Sequence, residues 1–205
     1  MNVLAHFHLA GTDPDLQAGA LLGDHVKGPL KGQLPAGWET GIRLHRRIDA
    51  LTDSSPEVQA LLNRSDADIR RYLGISLDVA FDHSLCRHWH HFNDTPLQDY
   101  SDRLFQDLLP HSQSWPEPPR QHLQRLAEHN VLAALSHWQT VDAMIRGISR
   151  RLRKPDALLK SIDWVQRELP AIDAAFLELY PRLQSTLANE FKHPGAAQAS
   201  KDSSQ

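Results

Sequence analysis

The residues able to do chemistry crowd into the first half of the chain. They are His6 and His8; Asp24 and His25; His45, Arg46, Arg47, Asp49 and Asp53; and Asp78, Asp82, His83, Arg87 and His88. Asp78 and Asp82 are four apart, so a helix would put them on one face. Val79 and Leu85 lie close by, so that face is at least partly buried. Two carboxylates turned inward repel each other and lose hydration, and buried charges persist when they are paired or bind a metal. His83 follows Asp82 about 100° further round such a helix. Residues 41–53, GIRLHRRIDALTD, repeat the pattern. His45 and Asp49 are four apart, Asp49 and Asp53 four apart again, and Ile42, Leu44, Ile48 and Leu51 supply apolar cover. A histidine from one helix, an Asp–His pair from a second and Asp24 from a third make a mixed nitrogen and oxygen set. Such a set suits Mn2+, Fe2+ or Zn2+. Arg46 and Arg47 stand beside His45, and guanidinium groups there would grip the oxygens of an anionic phosphate substrate.

Each of these residues also has an ordinary reading. A helical His or Asp is commonly a cap, a salt-bridge partner or a solvated group, and His45 with Asp49 could be a simple i,i+4 pair worth about 0.2–0.5 kcal/mol. A metal site is favoured by coincidence: three separate segments bring acidic and imidazole groups among core residues. His90 and His91 read as the surface end of a helix. His111, His122, His129, His137 and His193 fall in scattered polar contexts and receive no chemistry. Cys86 sits among core-forming residues and reads as a small buried apolar group rather than a nucleophile. The chain has no Gly-rich phosphate loop, nucleophile elbow or HExxH motif.

Helices must position these groups. Leu and Ala outweigh Val, Ile and Thr, and helical spacing recurs throughout. The spacing predicts helices over 12–26, opened by Thr12 or Asp13 with Pro14 in the first turn, and over 38–51. A short helix follows Pro56, then come segments over 69–72 and 76–92, and one from Pro96 to about Leu109. The four prolines of 110–121 predict a non-helical connection. Helices resume over 121–151 with a break near 135–138, then over 156–168 and 170–191. The expected fold is all-α, a single compact helical domain over 1–192, followed by a polar disordered tail at 193–205. With 205 residues, 40% hydrophobic and 23% charged, the chain is long and apolar enough for one proper core. No run approaches the ~20 apolar residues of a membrane span. The opening MNVLAHFHLAGTDPD lacks the basic start of a secretory signal, so a cytoplasmic location is expected. A single cysteine excludes an internal disulfide or a Cys-rich zinc module. The net charge of −3 argues against a nucleic-acid partner. The 13 histidines are the one abnormal count. Oligomeric state does not follow from any of this.

Four blocks, MNVLAHFHLA, LLGDHVKG, GIRLHRRIDALTD and ISLDVAFDHSLCRHW, in this order and spacing, resemble the acyl carrier protein phosphodiesterase family. ISRRLRKPDAL and FLELYPRL extend the likeness toward the C-terminus. The resemblance implies a metal-dependent enzyme, with Mn2+ the expected activator. Its reaction would be hydrolysis of the phosphodiester joining 4′-phosphopantetheine to a serine of acyl carrier protein. It also implies a divergent relative of the helical HD-type phosphohydrolases, although the chain contains no His-Asp dipeptide, only the reversed Asp24-His25 and Asp82-His83. The implied metal set is Asp24, His45, Asp78, Asp82 and His83. His6, Arg46 and Arg47 take catalytic roles, the arginines offsetting phosphoryl charge and His6 or His83 giving a proton to the leaving serine oxygen. An acidic carrier protein needs a basic docking surface. Arg146, Arg150, Arg151, Arg153 and Lys154, with no acidic residue among them, supply one, joined by Lys27 and Lys31; a solvated helix end is the plainer reading. Two rivals stand beside this function: an HD-type nucleotide phosphohydrolase using the same metal site, and a non-catalytic helical binding module.

Overall fold

Short polar residues at helix starts set the first elements. Asn2 caps α1 (Val3–Ala10) by accepting the Val3 amide on its side chain, and Gly11 ends it at φ 74°. Asp13 caps α2 (Pro14–Leu22), accepting the amides of Asp15 and Leu16, with Pro14 at the first position, where its missing N–H is not needed. The chain continues through α3 (Ala36–Asp53), α4 (Pro56–Arg64), α5 (Ala67–Arg87), α6 (Leu97–His111), α7 (Glu117–Glu128), α8 (Val131–Ala134), α9 (Trp138–Ser149) and α10 (Asp156–Phe191), with two short 3-10 turns. These elements belong to a computed structural model that describes residues 1–191; the expected tail at 193–205 lies outside the described residues. The all-α expectation holds, and the described residues include no strand. No helix among them is long and apolar enough to cross a membrane.

Tertiary packing overrides local punctuation in three places. Segments expected separately over 69–72 and 76–92 are one helix, α5, which runs straight through Gly74. The last two expected helices are also one, α10, with Pro170 and Pro181 inside it. An internal proline costs roughly 3 kcal/mol, but α10 buries Ile162, Val165, Ile172, Phe176, Tyr180 and Leu183 along α5, so burial outweighs the lost bonds. The proline-rich connection is shorter than expected. α6 carries Pro110 in its last turn, and α7 starts at Glu117 with its prolines in the first turn. Polar pins reinforce the α5–α10 contact: Ser76 and Ser161 hydroxyls lie 2.6 Å apart, and Ser84 donates to Asp173 at 2.7 Å.

Helices α2 and α3 touch backbone to backbone. A Cβ on Gly19 would overlap the Trp38 carbonyl and lie 2.5 Å from Gly41 Cα, and one on Gly41 would lie 2.5 Å from the Leu16 carbonyl. A Cβ on Gly23, at the end of α2, would strike the His45 ring. Three glycines thus set how closely α3 and its histidine approach α2. Gly74, by contrast, faces open space. Gly19→Ala should cost about 2–3 kcal/mol through overpacking. Gly74→Ala should stabilise by about 0.5–1 kcal/mol through lower unfolded-chain entropy. Denaturant unfolding of both variants checks the opposite signs.

Candidate metal centre

α3 turns one face toward α1 and the end of α2, and that face carries His45 and Asp49. His45 Nδ1–H donates to the Ala20 carbonyl at 2.8 Å, so its Nε2 points the other way, 3.2 Å from Asp49 Oδ2. His6 comes in from α1 with Nε2 3.1 Å from Asp49 Oδ1. The two imidazoles stack with centroids 4.0 Å apart and planes 17° from parallel. Among the described residues, His6, His45 and Asp49 are the one group of three or more such side chains whose ligand atoms all lie within 4.8 Å of one another. Both rings are buried, while the Asp49 side chain is 41% exposed. The cluster therefore opens to solvent on the carboxylate side, into a cavity of about 140 Å³ whose walls include Asp24, Asp78 and Ile148.

The electrostatics follow from burial and from Asp49. Burial lowers the His6 pKa to about 4 against the raising effect of its bond to Asp49, with His45 and the Met1 amine adding to the fall. His6 is therefore neutral near pH 7, and its Nδ1 is buried without a partner. Burial also lowers His45, but its bond to Asp49 and the charges of Asp49 and Asp24 outweigh this and raise it. Burial pushes the Asp49 carboxyl up, yet hydrogen bonds from His45 and His6 win and hold it well below the usual carboxylate range. The donor set fits a divalent cation. Two imidazole nitrogens and one carboxylate are a borderline set that leaves coordination positions open. A histidine whose far nitrogen donates to a backbone carbonyl is oriented as metal-bound imidazoles are.

The remaining expected residues divide. Asp24 lies at the open edge, its Oδ1 3.7 Å from His45 Nε2. Asp78 lines the cavity but binds the α-ammonium of Met1 at 2.6 Å. Asp82 and His83 lie apart from the triad. Asp82 is fully buried and accepts the backbone amides of Asn2, Leu4 and Ala5 at 3.3, 2.7 and 3.1 Å, a carboxylate seated on the amino end of α1. Burial pushes its pKa up to about 7 against these bonds. His83 Nδ1–H donates to the Leu135 carbonyl at 2.7 Å and its ring meets Trp138 edge-on. Neither residue lines the cavity. Arg46 and Arg47 also have partners away from the triad: Arg46 donates to the Val26 carbonyl at 3.0 Å, and Arg47 grips Glu190 of α10 through two bonds of 2.9 and 2.6 Å. Successive helical residues point about 100° apart, so neighbours of an inward His45 face elsewhere. His8 also turns away from the cluster, pairing with the Tyr180 hydroxyl at 2.7 Å. The residue missing from the expected ligand set is Asp49. Its signal was the i,i+4 spacing to His45.

Fold and site define an all-helical protein with a partly buried His–His–Asp centre. The family model described as acyl carrier protein phosphodiesterase matches residues 1–183. Among curated proteins, the chain is similar to the acyl carrier protein phosphodiesterase of Pectobacterium atrosepticum, 34% identical over 193 residues that cover 89% of this chain and 95% of the relative. It is 33% identical over 196 residues to the proteins of that name from Escherichia coli and Shigella boydii, covering 93% of this chain and 99% of each relative. No solved structure shows significant similarity to it. The chain belongs to the acyl carrier protein phosphodiesterase family.

The geometry separates Asp82 from the His6, His45 and Asp49 cluster by what its loss does. Asp82→Ala strips three amides, those of Leu4 and Ala5 buried, of their acceptor and should destabilise the fold by about 3–5 kcal/mol, read as a lowered midpoint in urea. An unchanged midpoint would show that α1 does not depend on this carboxylate.

Proposed function

We propose that this chain is a phosphodiesterase that releases 4′-phosphopantetheine from a serine of holo acyl carrier protein, with His6, His45 and Asp49 holding a divalent cation, Mn2+ the expected one. The reading is carried by one observation: in a chain of this family, two buried imidazoles and a carboxylate converge at a solvent-open cavity. When bound, a divalent cation polarises a phosphoryl oxygen and makes water a better nucleophile. The protein's own part is positional. The Ala20 carbonyl keeps His45 from rotating, burial keeps His6 unprotonated, and Asp49 carries the negative charge that draws a cation in. Asp24, solvent-exposed at the mouth, would take a proton from an entering water molecule.

The partner's approach is supported from the opposite wall. Ile148 lines the cavity, and the chain beyond it carries Arg150, Arg151, Arg153 and Lys154, all exposed; Arg146, one turn before, is exposed and pairs with Asp142. Lys27 lies exposed just after Asp24. An acidic carrier protein docked on these cations would bring its prosthetic arm to the mouth.

Two experiments test this. Holo acyl carrier protein incubated with the chain should lose the mass of phosphopantetheine when Mn2+ is present and keep it in excess chelator. Asp49→Ala and His45→Ala should each lower the metal-dependent rate by at least about 100-fold, beyond the loss typical of a supporting residue. Full Mn2+-stimulated turnover in both variants would remove the triad from the mechanism. For docking, Arg153→Glu with Lys154→Glu should raise KM roughly tenfold and flatten its salt dependence, with turnover at saturating carrier protein the smaller change. An unaltered KM counts against this surface.

A further inference from the structure

Hydrolysis of a phosphodiester needs groups that receive the non-bridging oxygens. The two arginines nearest the triad in sequence are held elsewhere, Arg46 on the Val26 carbonyl and Arg47 on Glu190. The mouth of the cavity has other candidates, brought together by the fold alone. α7 packs against α2 and sets His122 Nδ1 3.3 Å from His25 Nε2, the rings edge-to-face at 5.5 Å. His25 follows Asp24, whose carboxylate reaches His45 of the triad, so the imidazole pair lies beside the centre. Arg125, one turn along α7 from His122, and Arg151, from the turn after α9, are both exposed. Both stand close enough to the two rings to disfavour their protonation: burial lowers His25 and takes His122 down to about 4, and both guanidinium groups add to the fall against the charge of Asp24.

The pair has a useful property. Two neutral imidazoles joined by one N–H···N bond leave one outward nitrogen protonated and the other bare, whichever ring is the donor. The pair therefore always presents an N–H to a ligand, from His25 Nδ1 or His122 Nε2. Beside it stand two guanidinium groups, each able to bind phosphate oxygens bidentately. Packing His25 and His122 against each other next to two arginines is unfavourable for further positive charge. It suits an oxyanion, which accepts from the one outward N–H of the pair and from both guanidinium groups.

We infer that His25, His122, Arg125 and Arg151 form an oxyanion subsite that takes the phosphoryl group of the substrate at the mouth of the metal centre. The inference rests on the phosphodiesterase reading for the identity of the substrate, while the anion-binding geometry stands on its own. Whichever outward nitrogen of the pair carries the proton, His25 Nδ1 or His122 Nε2, donates to a phosphoryl oxygen, and the arginines offset the charge that grows on these oxygens during attack.

The test uses inorganic phosphate as the probe and the full chain. Ring NMR signals of His25 and His122 are followed at fixed pH while phosphate is added, and carrier-protein turnover is measured on the same preparation. Saturable shifts of both rings are expected. Arg125→Gln combined with Arg151→Gln should weaken phosphate affinity about tenfold or more, the loss of charge-assisted hydrogen bonds, at an unchanged melting temperature. His122→Asn should lower kcat/KM for holo carrier protein by a similar factor. Absence of saturable ring shifts in the wild-type chain overturns the subsite without reliance on any variant, and equal phosphate affinity in the double variant overturns it too. Rings that respond to phosphate in a chain releasing no phosphopantetheine support the subsite and remove the substrate reading; turnover without ring shifts does the reverse.

Discussion

The seating of one buried carboxylate on the amino end of α1 governs the rest of the centre. Asp82 projects from the C-terminal part of α5, which packs along α10, and accepts three amides at the start of α1. An ionised carboxylate without water is costly. Orphan amides at a helix start are costly too. Each satisfies the other, and the result fixes where α1 begins and how it is rotated. From that rotation His6 faces α3, while His8, two residues on, faces Tyr180. Position passes from α5 to α1 to His6, and then across Asp49 to His45. There a second anchor takes over, the Ala20 carbonyl and the bare surface of Gly23.

Polar groups thus sort by depth. Inside are groups that hold each other: Asp82 with backbone amides, Ser84 with Asp173, His83 with the Leu135 carbonyl. At the boundary are groups whose pairing is incomplete or open to solvent: Asp49 half exposed between two imidazoles, Asp24 at the edge, His25 against His122. Outside are cations on α7 and after α9. Acidic groups thus lie at the centre and basic groups at its rim.

Much of this was legible in the sequence. Asn2, Asp13 and Ser55 cap helices where short polar side chains are expected, and prolines at first-turn positions open α2, α4 and α7. The histidines and acids of the first half, together with the ordered blocks around them, pointed to the right family and to a centre containing His45. Less legible were helices that continue past Gly74, Pro170 and Pro181, because the apolar area they bury against each other exceeds the local penalty and no local rule contains that area. Asp49 was visible as the partner of His45, but an i,i+4 pair on one helix looks the same whether it meets solvent, a salt bridge or a second imidazole.

By itself, then, the chain's residue order determined the all-α class, the family, the caps and the stock of metal-binding side chains. Only the tertiary structure decided which carboxylate serves which task. Asp49 and Asp82 are both acids on apolar-faced helices near histidines, and spacing treats them alike. They differ in what stands opposite: Asp49 bonds His6 directly at the wall of a solvent-open cavity, Asp82 meets the amides of a helix start in the core. The same holds for the cations, since Arg46 and Arg47 are neighbours of His45 along the chain yet bind the Val26 carbonyl and Glu190 in space. Helical periodicity fixes the direction in which a side chain leaves its own backbone. What it meets there is set by packing among segments distant in sequence.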